Sequence, residues 1–270
     1  MIAPSIEGQF GTATIPALKQ AVEALGFKEC YEIALGADAV AWSEAQELVE
    51  NIKEGKKMTT SCCPAFYNMI VKHYPEIKDR MSTTGSPMLA AARYLKEKDP
   101  EAEIVFIGPC VAKKHEVVSR YMGLISAALT FDELAAMFAV KKVDPEKFEG
   151  GEEFATRYGK GFARSGGVSA SVLRVIEEEG LDLKPKVKVC NGAAECKVAL
   201  QMLKLGRLPE DIIEGMACEG GCVNGPMRQK ELFESKKVFD KNVNVENDNI
   251  INTCKENGYG DINIHVHNHG

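Results

Sequence analysis

Two cysteines, Cys218 and Cys222, stand four residues apart, and Gly220 and Gly221 come directly before the second. Glycine has no Cβ atom, so this turn can approach a bulky group closely and adopt conformations that other residues resist. Two thiols on so open a turn suit a metal cluster better than a hydrophobic core. The Cys-x3-Cys spacing differs from the Cys-x2-Cys pair usual in zinc knuckles. Taken alone, the motif leaves a cluster site and a redox or structural pair equally open.

The bulk composition narrows the class of protein. The chain has 270 residues, enough for one large domain or two tightly joined lobes. There are 33 Lys and Arg against 39 Asp and Glu, a net charge of −6, which argues against nucleic acid as a main partner. No apolar run is long enough to span a bilayer and no secretory signal is visible, so no membrane partner is expected. Nine cysteines, an odd number, indicate reduced thiols and a cytoplasmic location.

Short β-rich runs alternate with helical patterns along the chain, which predicts layers of α/β structure. Strands are predicted at 31–35, 58–60, 103–107, 187–190, 212–216 and, by alternation, 264–269, and a helix is predicted to start at Ser43. Thr130 and Glu133 have the spacing of a capping box. Cys63 and Cys110 each follow a predicted strand. Ligands of open α/β sheets bind beyond the carboxyl ends of the strands, so this placement indicates a binding site.

Three segments carry the motifs: TSCCP at 60–64, GPCVAKKHE at 108–116 and EGMACEGGC at 214–222. In this order they closely resemble the three signature segments of the iron-only (FeFe) hydrogenases, and the resemblance extends from Ala3 to about Gly225. It implies one H-cluster domain over 1–270, with two lobes of mainly parallel β-sheet flanked by helices and the metal cluster in the cleft between them. No ferredoxin-like domain is expected before it, so electrons would come from a ferredoxin-like carrier.

The resemblance also implies a cofactor. A cubane 4Fe-4S cluster needs four thiolates on loops with little steric bulk. The resemblance assigns this role to Cys63, Cys110, Cys218 and Cys222. It makes Cys222 the bridge to a diiron subcluster with carbon monoxide, cyanide and dithiolate ligands, which maturation proteins insert. Without the family, inert buried cysteines are the alternative interpretation.

A proton route is implied as well. In the family a thiol matching Cys62 passes protons to the dithiolate, and two glutamates and a serine matching Glu44, Glu47 and Ser82 supply it. From periodicity alone, Glu47 falls opposite the apolar stripe of its helix, which favours a solvated face. Where the family has an arginine at the outer end of the route, this chain has Asn51. The surface entry is therefore expected to differ.

Other matches line the same pocket. The resemblance gives Lys113 a hydrogen bond to a cyanide and Glu116 an ion pair with that lysine. It places six further matches beside the diiron site or in the segments that enclose the cluster: Ala3, Pro4, Ser5, Phe162, Ser165 and Met216. A solvated basic pair is the alternative for Lys113 and Lys114. Two departures change the pocket, since Met88 stands where the family has a glutamine and Gly108 where it has a methionine. The third motif also continues differently, as Asn224-Gly225-Pro226.

Three functions follow from these residues. The first is a hydrogenase that reversibly reduces protons to hydrogen. The second is a sensor with slow turnover, which the altered pocket favours, and the third is a cluster-assembly protein without the diiron part. Some residues stay unassigned. Cys190 and Cys196 either pack in the core or form an accessory ligand pair, and Cys30 and Cys254 have no visible role. The tail residues either bind a metal or belong to a frayed terminus: His265, His267 and His269.

Overall fold

The chain is described as a computed structural model over residues 1–266. His267 and His269, and the end of the predicted C-terminal strand, lie outside the described residues. The α-helices are α1 (Ile15–Glu23), α2 (Ala34–Lys53), α3 (Pro64–His73), α4 (Pro87–Lys98), α5 (Val111–Arg120), α6 (Phe131–Lys141), α7 (Arg157–Gly161), α8 (Gly167–Glu178), α9 (Ala193–Lys204), α10 (Leu232–Asn242) and α11 (Ile250–Glu256). The strands are β1 (Met58–Thr59), β2 (Val105–Ile107), β3 (Ala127–Leu129), β4 (Val187–Asn191) and β5 (Ile212–Met216).

Two separate parallel sheets organise the molecule. β1, β5 and β4 form the first in that order, with Met58 and Val187 both in register with Ile212. β2 and β3 form the second, and Ile2 bridges its edge at Ile107. Helices pack on both sheets, and 3₁₀ turns lie at Pro4–Ile6, Pro75–Arg80, Pro145–Lys147 and Cys222–Asn224. The predicted α/β fold of parallel sheets flanked by helices is confirmed.

Local sequence explains several of these boundaries. Pro64 occupies the first turn of α3, where its missing N–H costs no hydrogen bond. The Thr130 side chain accepts from the Glu133 backbone while the Glu133 carboxylate accepts from the Thr130 backbone, so the predicted capping box starts α6. All five residues of β5 are buried, as expected for the central strand of a parallel sheet.

Two local predictions are wrong. The run 31–35 is no strand: Glu32 makes one bridge to Ile2, and α2 already begins at Ala34. The helix predicted to start at Ser43 is therefore the second half of a 20-residue helix. Alanine-rich sequence from Ala34 to Ala45 continues the helix toward the N-terminus, because alanine has the highest helix propensity. β3 and the two C-terminal helices were not predicted.

A buried charge cluster joins two of the segments that line the cavity described in the next section. The Lys160 side chain is completely buried, and its Nζ lies 2.5 Å from Glu153, 3.5 Å from Glu32 and 3.8 Å from Glu7. Glu7 follows the 3₁₀ turn at Pro4–Ile6, and Lys160 lies in α7 two residues before Phe162. Burial raises the pKa of Glu7 to about 7, although the Lys160 charge opposes this.

Replacing Lys160 with methionine should destabilise the protein by about 3 kcal/mol, because removal of one partner leaves the other buried charges uncompensated. Burial raises the folded pKa values of Glu7 and Glu32 above their ordinary value of 4.5, so their ionisation opposes folding as pH rises through the folded pKa. The deficit should therefore be larger at pH 8 than at pH 5 in urea unfolding. Lys236→Met, which removes an exposed lysine paired with Asp240, is the control and should have little effect. Equal deficits for the two variants would contradict this account.

Candidate metal centre

A cavity lies where the strands of both sheets end, and it is called the central cavity here. It encloses about 870 Å³ of space free of protein atoms, part of it open to solvent, and its walls are almost entirely apolar. Its walls include the following predicted site residues: Ala3, Pro4, Ser5, Cys62, Cys63, Cys110, Lys113, Phe162, Met216, Cys218 and Cys222. Cysteine and lysine side chains from distant parts of the chain thus meet in the central cavity.

The fold brings the four predicted ligands to this cavity from three strand ends. Cys63 and Cys110 follow β1 and β2 and occupy the N-cap positions of α3 and α5. Cys218 follows β5, and Cys222 starts a 3₁₀ turn. All nine cysteines of the chain are free thiols.

The glycine turn has the close approach that its sequence indicates. Gly221 has a φ of 85°, and a Cβ there would lie 2.6 Å from the carbonyl oxygen of Ala163. A Cβ on Gly225 would lie 2.8 Å from the ring of Pro109. Both glycines are therefore needed for the Cys218–Cys222 turn to pack against segments 161–165 and 108–110.

Electrostatics of the bare thiols favour a positively charged partner. Burial, and then the charges of Cys63 and Cys110, raise the pKa of Cys218 to about 11. Burial and the neighbouring thiolates raise the pKa of Cys222 still further. Because a thiolate is the form that binds metal, cluster binding must displace protons and compensate negative charge at this site.

The donor set fits a cluster rather than a single ion. Within residues 1–266, no three His, Cys, Asp or Glu side chains converge closely enough to hold one metal ion. In a cubane each thiolate binds a different iron, so the four sulfurs need not meet at a point. The Ser5 hydroxyl, in the wall of the same cavity, is buried without a hydrogen-bond partner in the described residues. The cysteines and this orphaned donor suit an iron–sulfur cluster with polar ligands.

The predicted relay residues lie next to one another behind Cys62. Ser82 Oγ donates to Glu47 Oε2 at 2.7 Å, and the Thr83 backbone N–H donates to the same carboxylate. Glu44 is completely buried, and burial followed by the charge of Glu47 raises its pKa to about 8. Its carboxyl group has no hydrogen bond of normal geometry, although Ser82 and Ser61 lie near enough to lower the pKa somewhat.

The Cys62 thiol lies close enough to Glu44 for the two groups to affect each other's charge. Its thiol is buried, and its pKa is raised well above the ordinary value by burial and then by the charge of Glu44. The structure therefore brings a neutral thiol beside a carboxyl group that also retains its proton at neutral pH. Loop 82–84 covers Glu47, so the solvated face expected from its periodicity is not what the fold provides.

Lys113 has the partner that the resemblance implies. Its Nζ lies 2.6 Å from Glu116 Oε2, and both side chains are largely buried. Burial lowers the pKa of Lys113, but the charge and hydrogen bond of Glu116 more than offset this and raise the pKa overall. Arg120, which sequence reasoning missed, lies 3.4 Å from the other oxygen of Glu116. Lys114 pairs at the surface with Glu133.

A neighbouring side chain accounts for one of the two departures in the pocket, the glycine at 108. A Cβ on Gly108 would lie 2.5 Å from the ring of Phe106, so this ring occupies the space beside the glycine. Phe106 and Met88 both line the central cavity and are buried. The sequence offered no signal for Phe106, because only the packing of β2 against Gly108 puts its ring there.

The unassigned cysteines lie away from the central cavity. Cys190 and Cys196 are completely buried in one apolar cluster and hydrogen-bond each other, and Cys196 Sγ also donates to the Met216 carbonyl oxygen at 3.6 Å. Neither lines the cavity, so the packing interpretation fits better than an accessory ligand pair. Cys30 and Cys254 belong to two other apolar clusters.

Glu214 is a site-supporting residue whose role the sequence did not reveal. Its buried carboxylate accepts hydrogen bonds from the Gly166 and Ser169 backbone N–H groups at 2.7 and 2.8 Å. These donors belong to the N-terminal turn of α8, where a carboxylate is favoured. The contact fixes the segment that carries Phe162 and Ser165 against β5. The Ser165 hydroxyl itself points to Asn191.

The strand-end cysteines and the apolar cavity that they line are the features of an iron–sulfur protein. Residues 1–226 match the family described as iron only hydrogenase large subunit, C-terminal domain. Because this match covers most of the chain, the protein belongs to that family. None of the helices over the described residues 1–266 is both long and apolar enough to cross a membrane.

Individual relatives agree with this family. The chain is 31% identical over 263 residues to the periplasmic Fe hydrogenase large subunit of Nitratidesulfovibrio vulgaris, covering 80% of this chain and 62% of that protein. Its identity to iron hydrogenase 1 of Clostridium pasteurianum is also 31%, covering 80% and 46%. The chain thus spans less than two thirds of either relative. The apo structure of an FeFe-hydrogenase HydA1 variant from Chlamydomonas reinhardtii has a TM-score of 0.76 at 21% identity, covering 94% of this chain and 88% of that one, which shows a shared fold.

Proposed function

We propose that this protein catalyses the reversible reduction of two protons by two electrons to molecular hydrogen. The observation that carries the proposal is that four free cysteines and the relay thiol Cys62 line one apolar cavity. Cys63, Cys110, Cys218 and Cys222 would hold a 4Fe-4S cluster, with Cys222 also joining a diiron subcluster that carries carbon monoxide, cyanide and a dithiolate. When bound, this H-cluster would pass the electrons on and provide the metal site at which hydrogen forms or splits.

The chain's own contribution is to hold and move protons. Cys62 gives its Sγ proton to the acceptor in the cavity and recovers one from the Glu44 carboxyl group. Glu44 is reloaded through the Ser82 hydroxyl from Glu47, and every transfer reverses during hydrogen oxidation. The pKa of about 8 at Glu44 supports this order, because that carboxyl group holds a transferable proton at neutral pH.

Other wall residues would orient the cofactor. The Lys113 ammonium and the Ser5 hydroxyl are donors in an apolar cavity, where hydrogen bonds to anionic ligands are strong. Glu116 compensates the lysine charge and holds its side chain in place. Ala3, Pro4, Phe162 and Met216 exclude water from the same space.

We infer that electrons arrive from a ferredoxin-like carrier and that maturation proteins insert the diiron part. The nine free cysteines support a reducing compartment, and we propose the cytoplasm. The name of the Nitratidesulfovibrio relative refers to the periplasm for that protein. We also propose that residues 1–270 act as a single H-cluster domain.

Hydrogen sensing with slow turnover is the second candidate. Met88, an apolar side chain in the cavity wall where the family pattern has a glutamine, favours it. The acids Glu44 and Glu47 behind Cys62 oppose the sensor role, since a sensor has less need of rapid proton supply. An assembly protein without the diiron part would have no use for Lys113, Met216 and Cys62 in the cavity wall.

The deciding experiment loads the full chain anaerobically with the cubane and a synthetic diiron cofactor and supplies a chemically reduced electron mediator. Sustained hydrogen evolution, measured by gas chromatography, is the expected result. Infrared bands of carbon monoxide and cyanide with only a trace of hydrogen would instead support the sensor. Failure to take up the diiron unit would support the assembly role.

A further inference from the structure

The C-terminal segment returns to the loop that carries Ser82. His265 forms an antiparallel bridge with Thr84, and the backbone N–H groups of Gly85 and Val266 donate to Ile264 and Thr83 at 2.8 Å each. Arg93 donates to the carbonyl oxygens of Asn263 and His265. Ile264 packs into the apolar core around α2. The backbone at His265 is therefore held on both sides.

The imidazole ring of His265 is exposed and contacts two hydroxyl groups. Its Nδ1 lies 3.0 Å from Thr83 Oγ1, and its Nε2 lies 3.4 Å from Ser43 Oγ. Ser43 belongs to α2, one residue before Glu44. The ring thus joins the C-terminal segment to the helix that carries both relay glutamates.

Hydrogen bonds continue from Ser43 to the relay. Ser43 Oγ lies 2.7 Å from Thr84 Oγ1, and Thr84 Oγ1 donates to Glu47 Oε2 at 3.4 Å. Glu47 Oε2 in turn accepts from Ser82 at 2.7 Å. Thr84 is completely buried, and Ser43 is half-buried. An unbroken line of side-chain hydrogen bonds therefore runs from an exposed imidazole to Glu47.

We propose that His265 is the surface end of the proton route. Imidazole takes up and releases protons readily near neutral pH. The Nε2 proton passes to Ser43 Oγ as the Ser43 hydroxyl proton moves to Thr84 and the Thr84 hydroxyl proton moves to Glu47 Oε2. One proton is thus delivered to Glu47, both hydroxyls are regenerated, and the imidazole is left neutral until water reprotonates it.

Asn51 does not provide this entry. Its side-chain amide donates to the Glu47 carbonyl oxygen and contacts the Met58 sulfur, and an amide does not change protonation in this pH range. The groups that face the His265 ring and its backbone are Thr83, Ser43, Asn263 and the cationic Arg93. Among these, the two hydroxyls contact the ring, and Ser43 leads inward to Glu47.

The inference rests on the proposed hydrogenase function and is tested in the loaded full chain at low buffer concentration and saturating reduced mediator. His265→Gln keeps hydrogen-bonding atoms at the position but cannot take up and release a proton, so hydrogen evolution should fall roughly tenfold, less than for loss of a directly acting acid. Ser43→Ala, which interrupts the line of hydroxyls, should cause a similar loss. His73→Gln alters another exposed histidine, at the end of α3, and should leave the rate unchanged.

Two further measurements separate proton delivery from a structural role. Free imidazole should restore turnover in His265→Ala but not in Ser43→Ala, whereas a merely structural defect would not respond to imidazole. In ¹⁵N NMR of histidine-labelled full chain, Ser43→Ala should shift the Nε2 resonance of His265. An unchanged resonance would contradict the contact between the ring and Ser43.

The outcomes also distinguish this inference from the proposed function. Active wild-type protein with an undiminished rate in His265→Gln would overturn the inference alone, because Glu47 would then exchange protons directly with water. Loaded wild-type protein that evolves no hydrogen would overturn the proposed function and, with it, the route.

Discussion

Replacing Cys62 with alanine should lower hydrogen evolution by at least roughly 100-fold while the 4Fe-4S cluster remains, since a positioned acid or base typically contributes this much or more. Cys62 lies in the cavity wall and its thiol is coupled to Glu44, whereas the neighbouring Cys63 is the proposed ligand. Alanine removes the group that transfers the proton but leaves all four ligand thiols. Iron content and the visible spectrum report the cubane, infrared bands report the diiron part, and gas chromatography reports turnover.

The control for this prediction is another buried cysteine. Cys254 lies in the apolar cluster that also contains Cys62 but does not line the cavity. Cys254→Ala removes the same atoms, so any loss of packing should be similar and turnover should persist. Undiminished turnover in Cys62→Ala would eliminate the thiol from the route. Loss of the cubane in that variant would instead give Cys62 a part in cluster binding.

Local sequence predicts the positions of the cysteines well. Cys63 and Cys110 follow the runs predicted as strands at 58–60 and 103–107, and the fold has strands there at Met58–Thr59 and Val105–Ile107. β1 and β2 belong to different sheets, but the carboxyl ends of both sheets face the central cavity, so the two cysteines meet there. The glycines before Cys222 likewise indicate a close backbone approach, which Gly221 makes. These features depend on residues near one another in sequence.

The features that sequence did not predict depend on distant contacts. The periodicity of α2 places Glu47 opposite the apolar face, but loop 82–84 covers it with hydrogen bonds. Lys160 reads as an ordinary surface lysine until Glu7, Glu32 and Glu153 surround it. The His265 ring gains its neighbours only because the chain returns to Thr83 and Ser43 after more than 180 residues. No local pattern encodes such pairings.

The second large effect is expected for Cys222, the cysteine proposed to hold both parts of the cofactor. Cys222→Ala should prevent stable incorporation of the diiron subcluster and weaken retention of the cubane, because it removes the thiolate proposed to join the two parts. Burial and neighbouring thiolates raise the pKa of Cys222 well above its ordinary value, so this thiol is poorly suited to be an anion unless a metal coordinates it. The carbon monoxide and cyanide infrared bands should be absent after loading, and iron content should fall.

Cys190→Ala is the matched comparison, because Cys190 is a completely buried thiol at the end of β4 whose neighbour Cys196 contacts the Met216 carbonyl. Loss of this sulfur should reduce stability by about 1 kcal/mol through the small cavity it leaves, with normal iron content and infrared bands. If Cys190→Ala lost the cluster as Cys222→Ala does, the Cys190–Cys196 pair would be accessory ligands after all. If Cys222→Ala kept normal infrared bands, the diiron part would be held without this thiolate. The cavity wall at Lys113 and Ser5 would then have to supply the binding energy that the bridge was assigned.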